Sequence, residues 1–520
     1  MTQATAPSAP ARFNLAEHCL ARQAQSFGGR RALALVGAAG GTEEWTYGTL
    51  DATVRRIAAG LQGLGLPPQA RILIRAGNDS SFVLAFLSII AAGYVAQPTS
   101  AQLTEEEVVA LSRDSGAAAV VLGRDYLAER AAFGHCIVLD PDDMARLSAH
   151  APLADYARTG PDDPAYLVHT SGTTSRPKGV VHAQRAVLGR RPMHKDWLGL
   201  AEGDVLLHAG AVNWTYTLGV GLLDPWACGA TSVIYNGPRD PTVWPRLIEE
   251  WRATIFAAVP TVYRQILKNC DLAAFDLSSL RHGVAAGEAL APQLLADWHA
   301  ATGTWIYESL GMSEISTFIS SRPGEPIRPG SPGRPQTGRR IAILPVDGGT
   351  TPLPMGDTGL LAVHRSDPGL MLGYWNRPEE EAAVYRGEWF VGGDLAAFDA
   401  DGWLWFHGRN DDLMNALGYR VSPMEVEKVL AQCPGIAEAA VAETRVREDV
   451  SIITAFVVPR PDDAVAEEAI LSYCAAHLAT YKCPRKVVFV DHLERTPNGK
   501  VSRKATARRF APPPAAAAAG

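Results

Sequence analysis

The chain has 520 residues, of which 47% are hydrophobic and 20% charged, a composition typical of a soluble globular protein with two or more domains. Its 48 Lys and Arg residues against 55 Asp and Glu residues give a net charge of -7, which argues against nucleic acid or an anionic membrane surface as a partner. Seven cysteines without a CxxC pair argue against a disulfide framework or a zinc cluster. The longest apolar run, 82–96, is too short to span a bilayer, and the first residues lack a signal-peptide pattern. The sequence therefore predicts a cytoplasmic protein.

Hydrophobic periodicity predicts alternating strands and helices over the first 310 or so residues. This rhythm is typical of an α/β domain with largely parallel sheets flanked by helices. The predicted helices cover 13–25, 49–62, 82–92, 218–227 and 289–301, and the predicted strands cover 44–47, 71–75, 117–122, 205–208, 231–235, 254–259 and 304–309.

The texture changes at residue 329 to Gly- and Pro-rich short strands, such as 341–344 and 359–364, which predicts a small β-barrel-like subdomain. After residues 408–412, predicted helices at 423–433 and 464–478 alternate with strands at 438–443 and 452–458, as in a small α+β domain. The predicted division is a disordered tail 1–10, a large N-terminal domain 11–409, a small C-terminal domain 410–508 and a disordered tail 509–520.

One segment, 166–182, runs from apolar residues into hydroxyl residues, glycine and one lysine. Hydroxyls and glycine backbone N–H groups can surround an anion, and Lys178 adds positive charge. The common P-loop pattern does not fit, because Lys178 precedes Gly179. Composition alone leaves open a Ser/Thr-rich surface turn between two strands. The candidate phosphate-binding residues are Thr170, Ser171, Gly172, Thr173, Thr174 and Lys178.

Two further segments place polar residues at predicted strand ends. Residues 280–290 combine glycine and small residues, which suits close approach to a flat ligand or a plain strand-to-helix turn. In residues 307–314, the pair Ser313 and Glu314 offers a hydroxyl and a carboxylate of the kind that Mg²⁺ takes when it bridges phosphates. The alternative for Glu314 is an ordinary acid at a helix start.

Polar residues of the C-terminal third complete the pattern. Asp394 follows a glycine turn and can accept hydrogen bonds from paired hydroxyls, and Arg409 can neutralise phosphate, although a hairpin turn and a surface ion pair explain both. Residues 418–427 contain a Ser-Pro-Met-Glu sequence, which on its own is typical of an ordinary helix start. Lys500 follows a Pro-Asn-Gly turn in a basic tail, where a lysine is usually a solvated surface residue.

Taken in order, these six segments resemble the signature of the adenylate-forming superfamily, which includes acyl-CoA synthetases, luciferases and peptide-synthetase adenylation domains. Segments 318–325 and 329–335 are most similar to its benzoate-CoA ligase branch. Two residues depart from the pattern: Ser175 stands where the family usually has glycine, and Gly392 where it usually has Ser or Thr.

The resemblance implies a role for each candidate residue. The implied catalytic residues are Lys500, Glu314, Arg409 and Thr170, with Glu314 as the Mg²⁺ ligand and Asp411 as a hinge. The implied ATP site comprises the six phosphate-loop residues together with Gly287, Glu288, Ala289, Glu308, Ser309, Leu310, Ser313, Asp394, Arg409 and Lys500. The implied CoA-binding residues are Gly418, Tyr419 and Arg420, and the acyl-binding candidates are Trp214, Tyr216, Tyr263, Ala285, Gly311 and Thr317.

The function that the resemblance implies is ATP-dependent ligation of a carboxylic acid to CoA through an acyl-adenylate, with ATP, Mg²⁺ and CoA required and with AMP and pyrophosphate released. Gly311 stands where acetate-specific relatives carry tryptophan, which favours an aromatic, alicyclic or medium-chain acid; the benzoate branch often has histidine where Thr317 stands. The alternatives are a stand-alone adenylation enzyme that serves a carrier protein and a non-catalytic nucleotide-binding relative. The expected partners are these small molecules and, in a homodimer, a second copy of the chain, with neither nucleic acid nor a membrane span.

Overall fold

The computed structural model describes residues 11–38, 40–170, 177–238, 240–410, 414–416, 419–447, 450–461, 465–478, 480–496 and 500–510. The chain separates into two compact units. The first comprises Met1–Ile341 with Val363–Phe390, and the second comprises Ala342–Ala362 with Val391–Gly520. This division into compact units does not test the predicted domain boundary at residue 409, which stays a prediction.

A nine-stranded sheet forms one half of the first unit, and its six central strands run parallel. Parallel strands covered on both faces are uniformly apolar, and the burial pattern of the central strands follows this rule. In spatial order the strands are β15 (Arg334–Pro335), β14 (Ser316–Ser320), β13 (Ile306–Met312), β12 (His282–Ala286), β11 (Ile255–Ala258), β9 (Val205–His208), β10 (Thr231–Asn236), β1 (Arg31–Gly37) and β2 (Thr42–Thr46).

A seven-stranded sheet forms the other half of this unit. Five of its strands are parallel, and the two remaining strands each pair antiparallel with the strand next to them in the sheet. In spatial order it contains β18 (Gly373–Tyr374), β8 (Lys178–Ala183), β7 (Pro164–Thr170), β4 (Val95–Pro98), β3 (Arg71–Arg75), β5 (Ala119–Leu122) and β6 (Ile137–Leu139).

The first five helices start at a side-chain cap. In the fourth helix, the Thr104 side chain accepts a hydrogen bond from the Glu107 N–H, and the Glu107 carboxylate accepts one from the Thr104 N–H, which together form a capping box. The α-helices are α1 (Leu15–Phe27), α2 (Tyr47–Gln62), α3 (Ser80–Ala91), α4 (Glu105–Ser115), α5 (Pro141–Ser148), α6 (Ala186–Gly189), α7 (Arg191–Asp196), α8 (Asp224–Cys228), α9 (Val243–Trp251), α10 (Pro260–Asn269), α11 (Pro292–Thr302), α12 (Pro378–Ala383), α13 (Pro423–Leu430), α14 (Glu467–His477) and α15 (Arg503–Phe510).

Two predicted helices differ from the structure. The continuous helix predicted over 218–227 is a π-helix at Thr217–Leu223 that runs into α8; Pro225 has no N–H to donate back to the preceding turn, which favours the wider spacing. The helix predicted from Ala289 starts at Pro292 instead, because proline fits the first helical position and disfavours helical backbone before it.

The second unit contains most of a five-stranded sheet, in the order β16 (Ile341–Leu344), β17 (Gly359–His364), β20 (Trp389–Phe398) and β19 (Tyr385–Arg386), with β21 (Leu404–Arg409) also on β20. It also contains the hairpin β22 (Met414–Ala416) and β23 (Tyr419–Val421), and a sheet of β24 (Ile436–Arg447), β25 (Val450–Pro459) and β26 (Lys486–Phe489). Val426 and Ile470 pack from α13 and α14 against this last sheet, as expected for a small α+β domain. No described helix is both long and apolar enough to cross a bilayer.

Candidate active site

The predicted phosphate loop lies between two paired strands. Strands β7 and β8 are antiparallel, and their last pair sets Thr170 opposite Lys178. The strand pairing therefore holds two of the candidate phosphate ligands at the mouth of the loop. The remaining candidates of this segment, Ser171, Gly172, Thr173 and Thr174, lie outside the described residues.

The short strand β18 adds two residues that the sequence analysis did not predict. Gly373 and Tyr374 pair with β8, and α12 follows a few residues later. Lys178 Nζ lies 5.2 Å from the centroid of the Tyr374 ring and 2.6 Å from Glu380 Oε2. A positive charge over an aromatic face and beside a carboxylate is stabilised by both. The acidic run 379–381 directly after Pro378 was the available signal for a functional carboxylate.

Glu314 joins the same group of side chains from the end of β13. The Tyr374 hydroxyl donates a 2.7 Å hydrogen bond to Glu314 Oε1, and the Met371 N–H donates to the Glu314 backbone carbonyl at 2.7 Å. Tyr374 therefore contacts both the predicted phosphate-binding lysine and the predicted magnesium ligand. Within the described ranges, no group of three or more His, Cys, Asp or Glu side chains is placed to hold a metal ion. A single carboxylate suits Mg²⁺, which keeps several waters and takes substrate phosphates as further ligands.

The predicted ATP-binding residues Gly287, Glu288 and Ala289 follow β12. Gly287 has φ +91, and a Cβ there would lie 3.1 Å from the Trp214 indole, so glycine is needed for both backbone conformation and space. Glu288 accepts a 2.7 Å hydrogen bond from the Thr261 hydroxyl, and Ala289 is exposed. The segment is thus anchored at Glu288 and exposes its backbone on either side.

Glu308 holds this segment from the neighbouring strand β13. The Leu290 N–H donates a 3.0 Å hydrogen bond to Glu308 Oε1. Burial raises the pKa of Glu308 to about 7, and the Leu290 hydrogen bond only partly offsets this. Ser309 donates through its hydroxyl to the Ile319 carbonyl at 2.7 Å, whereas Leu310 and Ser313 are half-buried.

The acyl candidates Trp214 and Tyr216 lie together. Their rings are 5.4 Å apart and perpendicular, and both belong to a cluster that includes Tyr307. The structure adds His208, whose buried ring lies 4.6 Å from that of Tyr216. His208 is at the carboxyl end of a parallel strand, which is where ligands bind in open α/β sheets. No strand or turn pattern in the sequence distinguished this histidine.

The acyl candidates Tyr263 and Ala285 belong to a different core cluster from Trp214 and Tyr216. The Tyr263 ring packs 4.8 Å from that of Trp298. The Tyr263 hydroxyl donates to the Phe256 carbonyl at 2.7 Å. Alternate residues of a strand face opposite sides of the sheet, so Ala285 faces away from Val284, which packs with Tyr216. The Tyr263 and Tyr216 hydroxyls nevertheless share one acceptor, the Val284 carbonyl, at 3.2 Å and 3.4 Å.

Gly311 and Thr317 are paired across β13 and β14. A Cβ on Gly311 would lie 2.5 Å from the Ser316 carbonyl oxygen and 2.7 Å from the Thr317 Cα, so glycine allows the strands to approach at a bulge. Thr317 is 7% exposed, and its hydroxyl has no hydrogen-bond partner among the described residues. Buried hydroxyls normally have one, which makes Thr317 a candidate ligand contact.

The remaining candidates belong to the second unit. Asp394 and Arg409 are paired across β20 and β21, and Arg409 Nη1 donates to Asp394 Oδ1 at 3.2 Å and to the Gly392 carbonyl at 2.8 Å. Lys500 is exposed, and its carbonyl accepts a 2.7 Å hydrogen bond from the Thr496 N–H. Asp411 and Gly418 lie outside the described residues, and for Tyr419 and Arg420 only the backbone, in β23, is described.

Comparisons with known proteins match both parts of the chain. A family profile described as AMP-binding enzyme covers residues 20–375, and one described as AMP-binding enzyme C-terminal domain covers residues 425–500. The benzoate–CoA ligase of Thauera aromatica is 32% identical over 513 residues, which are 95% of each chain. The anthranilate CoA ligase AuaEII in complex with anthranoyl-AMP has a TM-score of 0.86 at 29% identity, covering 97% of this chain and 98% of that one. ATP-bound MatB from Rhodopseudomonas palustris has a TM-score of 0.85 at 27% identity, covering 95% and 98%.

These matches confirm the resemblance and the fold class predicted from the six segments. The first profile alone covers more than half of the chain, and the structural similarity extends over nearly all of it. The protein is therefore a member of the AMP-binding enzyme family, the adenylate-forming enzymes.

Proposed function

We propose that this protein is an ATP-dependent carboxylate–CoA ligase that forms an acyl-CoA, AMP and pyrophosphate through an acyl-adenylate. The observation that carries the proposal is the position of Tyr374, which contacts Lys178 through its ring and Glu314 through its hydroxyl. Two residues from distant segments, each assigned to phosphate chemistry by its own motif, thus share one neighbour.

The first half-reaction makes the carboxylate electrophilic by transferring it to the α-phosphate of ATP. Thr170 and Lys178, with the loop between them, would hold the outer phosphates, and the Glu314 carboxylate would hold Mg²⁺. The bound ion would offset charge on the phosphates as pyrophosphate leaves. Fixed positive charge and donors aimed at developing negative charge are usually the largest contribution to such catalysis.

Further residues are assigned to the nucleotide and the thiol. We assign ribose binding to Asp394, phosphate neutralisation to Arg409, and stabilisation of the attacking carboxylate to Lys500. The CoA-binding assignment stays with Gly418, Tyr419 and Arg420, and the hinge assignment with Asp411. Lys500 is exposed, so its side chain is accessible to a ligand, which supports this assignment.

An aromatic carboxylate is the substrate class that we favour. The perpendicular rings of Trp214 and Tyr216 provide an apolar surface suited to an aromatic ring, and the Thr317 hydroxyl has no hydrogen-bond partner within the described part of the chain. The relatives named for benzoate, hydroxybenzoate and anthranilate act on aromatic acids. A medium-chain acid is the second candidate class. Cytoplasmic location and a homodimer stay predictions of the sequence.

The test is to incubate the full chain with a panel of carboxylic acids, ATP and Mg²⁺, with and without CoA, and to measure pyrophosphate and thioester. We expect both products from an aromatic acid, with the thioester dependent on CoA. Pyrophosphate without any CoA-dependent product would point to a carrier-linked adenylation enzyme, and ATP binding without either product would point to a non-catalytic relative.

Two variants separate the half-reactions. Lys500→Ala should abolish adenylate formation and leave thioester formation from supplied acyl-AMP largely intact, whereas Asp411→Pro should spare adenylate formation and block the thioester step. Equal loss of both steps in the first variant, or an unimpaired overall rate in the second, would refute the respective assignment.

A further inference from the structure

A cluster of a thiol, an imidazole and a carboxylate lies in the first unit, among residues that the proposed reaction does not use. Cys228 Sγ is 3.2 Å from His194 Nδ1, and His194 Nε2 is 3.0 Å from Asp224 Oδ1. Asp224 and Cys228 are the first and last residues of α8. Side chains four positions apart share one helix face. Asp224 and Cys228 therefore contact opposite nitrogens of the His194 ring, and His194 belongs to α7.

The hydrogen bonds determine which nitrogen of His194 faces the thiol as a base. Asp224 is fully buried and accepts two hydrogen bonds from the Arg190 guanidinium, at 2.8 Å and 2.6 Å, so it is a carboxylate and can only accept. The His194 Nε2 must therefore carry a proton for the hydrogen bond to Asp224. In the neutral ring, Nδ1 then presents its lone pair to Cys228, which is the geometry of a carboxylate-oriented base beside a nucleophile.

The electrostatics of the cluster favour protonation of His194. Burial alone would lower the pKa of His194, but the hydrogen bonds to Asp224 and Cys228 outweigh burial and raise this pKa to about 9. An imidazolium beside a thiol stabilises the thiolate, which is the reactive form of cysteine. Arg190 compensates the charge of Asp224.

Two other cysteines are matched by exposure and lack this arrangement. Cys136 and Cys270, like Cys228, are half-buried. The Cys136 thiol donates weakly to the Phe133 carbonyl, and the Cys270 thiol to the Pro241 carbonyl, each at 3.5 Å. Burial raises the pKa of both thiols. Both are therefore expected to react slowly at neutral pH.

We propose that Cys228 is a reactive thiol that undergoes exchange with low-molecular-weight disulfides, with His194 as its base and Asp224 as the residue that orients the base. In the reactive form the Cys228 proton resides on His194 Nδ1, and the thiolate attacks one sulfur of the disulfide. A new S–S bond forms at Cys228 Sγ as the original S–S bond breaks, and the departing thiolate takes the proton from His194. The products are a mixed disulfide at Cys228 and one small thiol.

The test uses the reduced, full-length protein and glutathione disulfide as the probe. After timed incubation at pH 7 and acid quenching, peptide mass spectrometry measures the mixed disulfide at Cys136, Cys228 and Cys270. We expect Cys228 to react at least about tenfold faster than the other two. A Cys228 rate equal to or below theirs would overturn the proposal without any variant.

A variant tests the base. His194→Gln keeps an amide donor for Asp224 and removes the base, so the rate at Cys228 should fall to that of the two control cysteines. An unchanged rate at Cys228 in folded His194→Gln would refute the role of His194. The rates at Cys136 and Cys270 report folding of the variant; if both rise, the variant is unfolded and the comparison within the wild-type protein decides.

Discussion

Glu380 Oε2 lies 2.6 Å from Lys178 Nζ, so a carboxylate holds the lysine that we assign to the ATP phosphates. An incoming phosphate has to displace this carboxylate to use the full charge of Lys178. The side chains are 19% and 31% exposed, which places the pair among partly screened ion pairs of modest strength.

Glu380→Gln should therefore lower the KM for ATP. Because a partly exposed pair contributes about 0.2–1 kcal/mol, we expect a decrease of about 1.4- to fivefold, with kcat changed less. Steady-state pyrophosphate release at varied ATP measures this. Glu379→Gln, an exposed neighbour on α12, is the matched control, and an equal decrease in both variants would show a general charge effect instead.

Tyr374→Phe should weaken the use of magnesium. The variant removes the hydroxyl that donates to Glu314 Oε1 and keeps the ring beside Lys178. Loss of a hydrogen bond that orients a metal ligand commonly costs about tenfold or more in metal affinity. We expect a higher Mg²⁺ concentration for half-maximal rate, measured by titration at saturating ATP. Tyr385→Phe, on β19, is the control, and an unchanged Mg²⁺ requirement in Tyr374→Phe would contradict the role of Glu314 as the ligand.

Glu308→Gln should stabilise the protein at high pH. The pKa of Glu308 is raised from 4.5 to about 7, so ionising this side chain costs free energy only in the folded state. The wild-type protein therefore loses stability as pH rises from about 4.5 to about 7, by up to about 3 kcal/mol. Urea denaturation at pH 5 and pH 8 measures the difference; glutamine still accepts from the Leu290 N–H. A variant that is less stable than the wild type at pH 8 would refute this.

His194 predicts a second pH window. Its pKa is raised from 6.5 to about 9, so protonation stabilises the folded state fully below about pH 6.5, and this contribution is lost as pH rises to about 9. It amounts to at most about 3 kcal/mol. Denaturation of the wild type and of His194→Gln at pH 6.5 and 9 should show a larger loss in the wild type. An equal loss of stability in the two proteins would contradict the presence of a protonated His194 in the cluster.

Local pattern predicts those parts of the fold that local interactions determine. The strands at Arg71–Arg75 and Val205–His208 have the predicted bounds, because a short apolar run between polar or turn residues has few alternatives. The site was predicted as separate motifs, whereas its assembly was not. Tyr374 reaches Lys178 only through the pairing of β18 with β8, a contact between distant segments that no local periodicity encodes.

The acyl candidates show the same limit. Trp214 and Tyr216 lie together as predicted, but Tyr263, on α10, belongs to a different core cluster. An aromatic residue with a hydroxyl suits a binding pocket or a core with backbone carbonyls within reach, and the sequence leaves both open. The hydrogen bond to the Phe256 carbonyl distinguishes them.

In the proposed acyl site, the tight pairing at Gly311 would limit how the substrate range can be changed. The atoms that a side chain at position 311 would meet belong to the main chain of β14, at Ser316 and Thr317, and main chain cannot rotate aside as a side chain does. Enlarging this residue to exclude long substrates would displace a strand, with a loss of stability unrelated to selectivity. Redesign toward shorter or longer acids is therefore better directed at the Thr317 side chain, where a change of volume leaves the backbone in place.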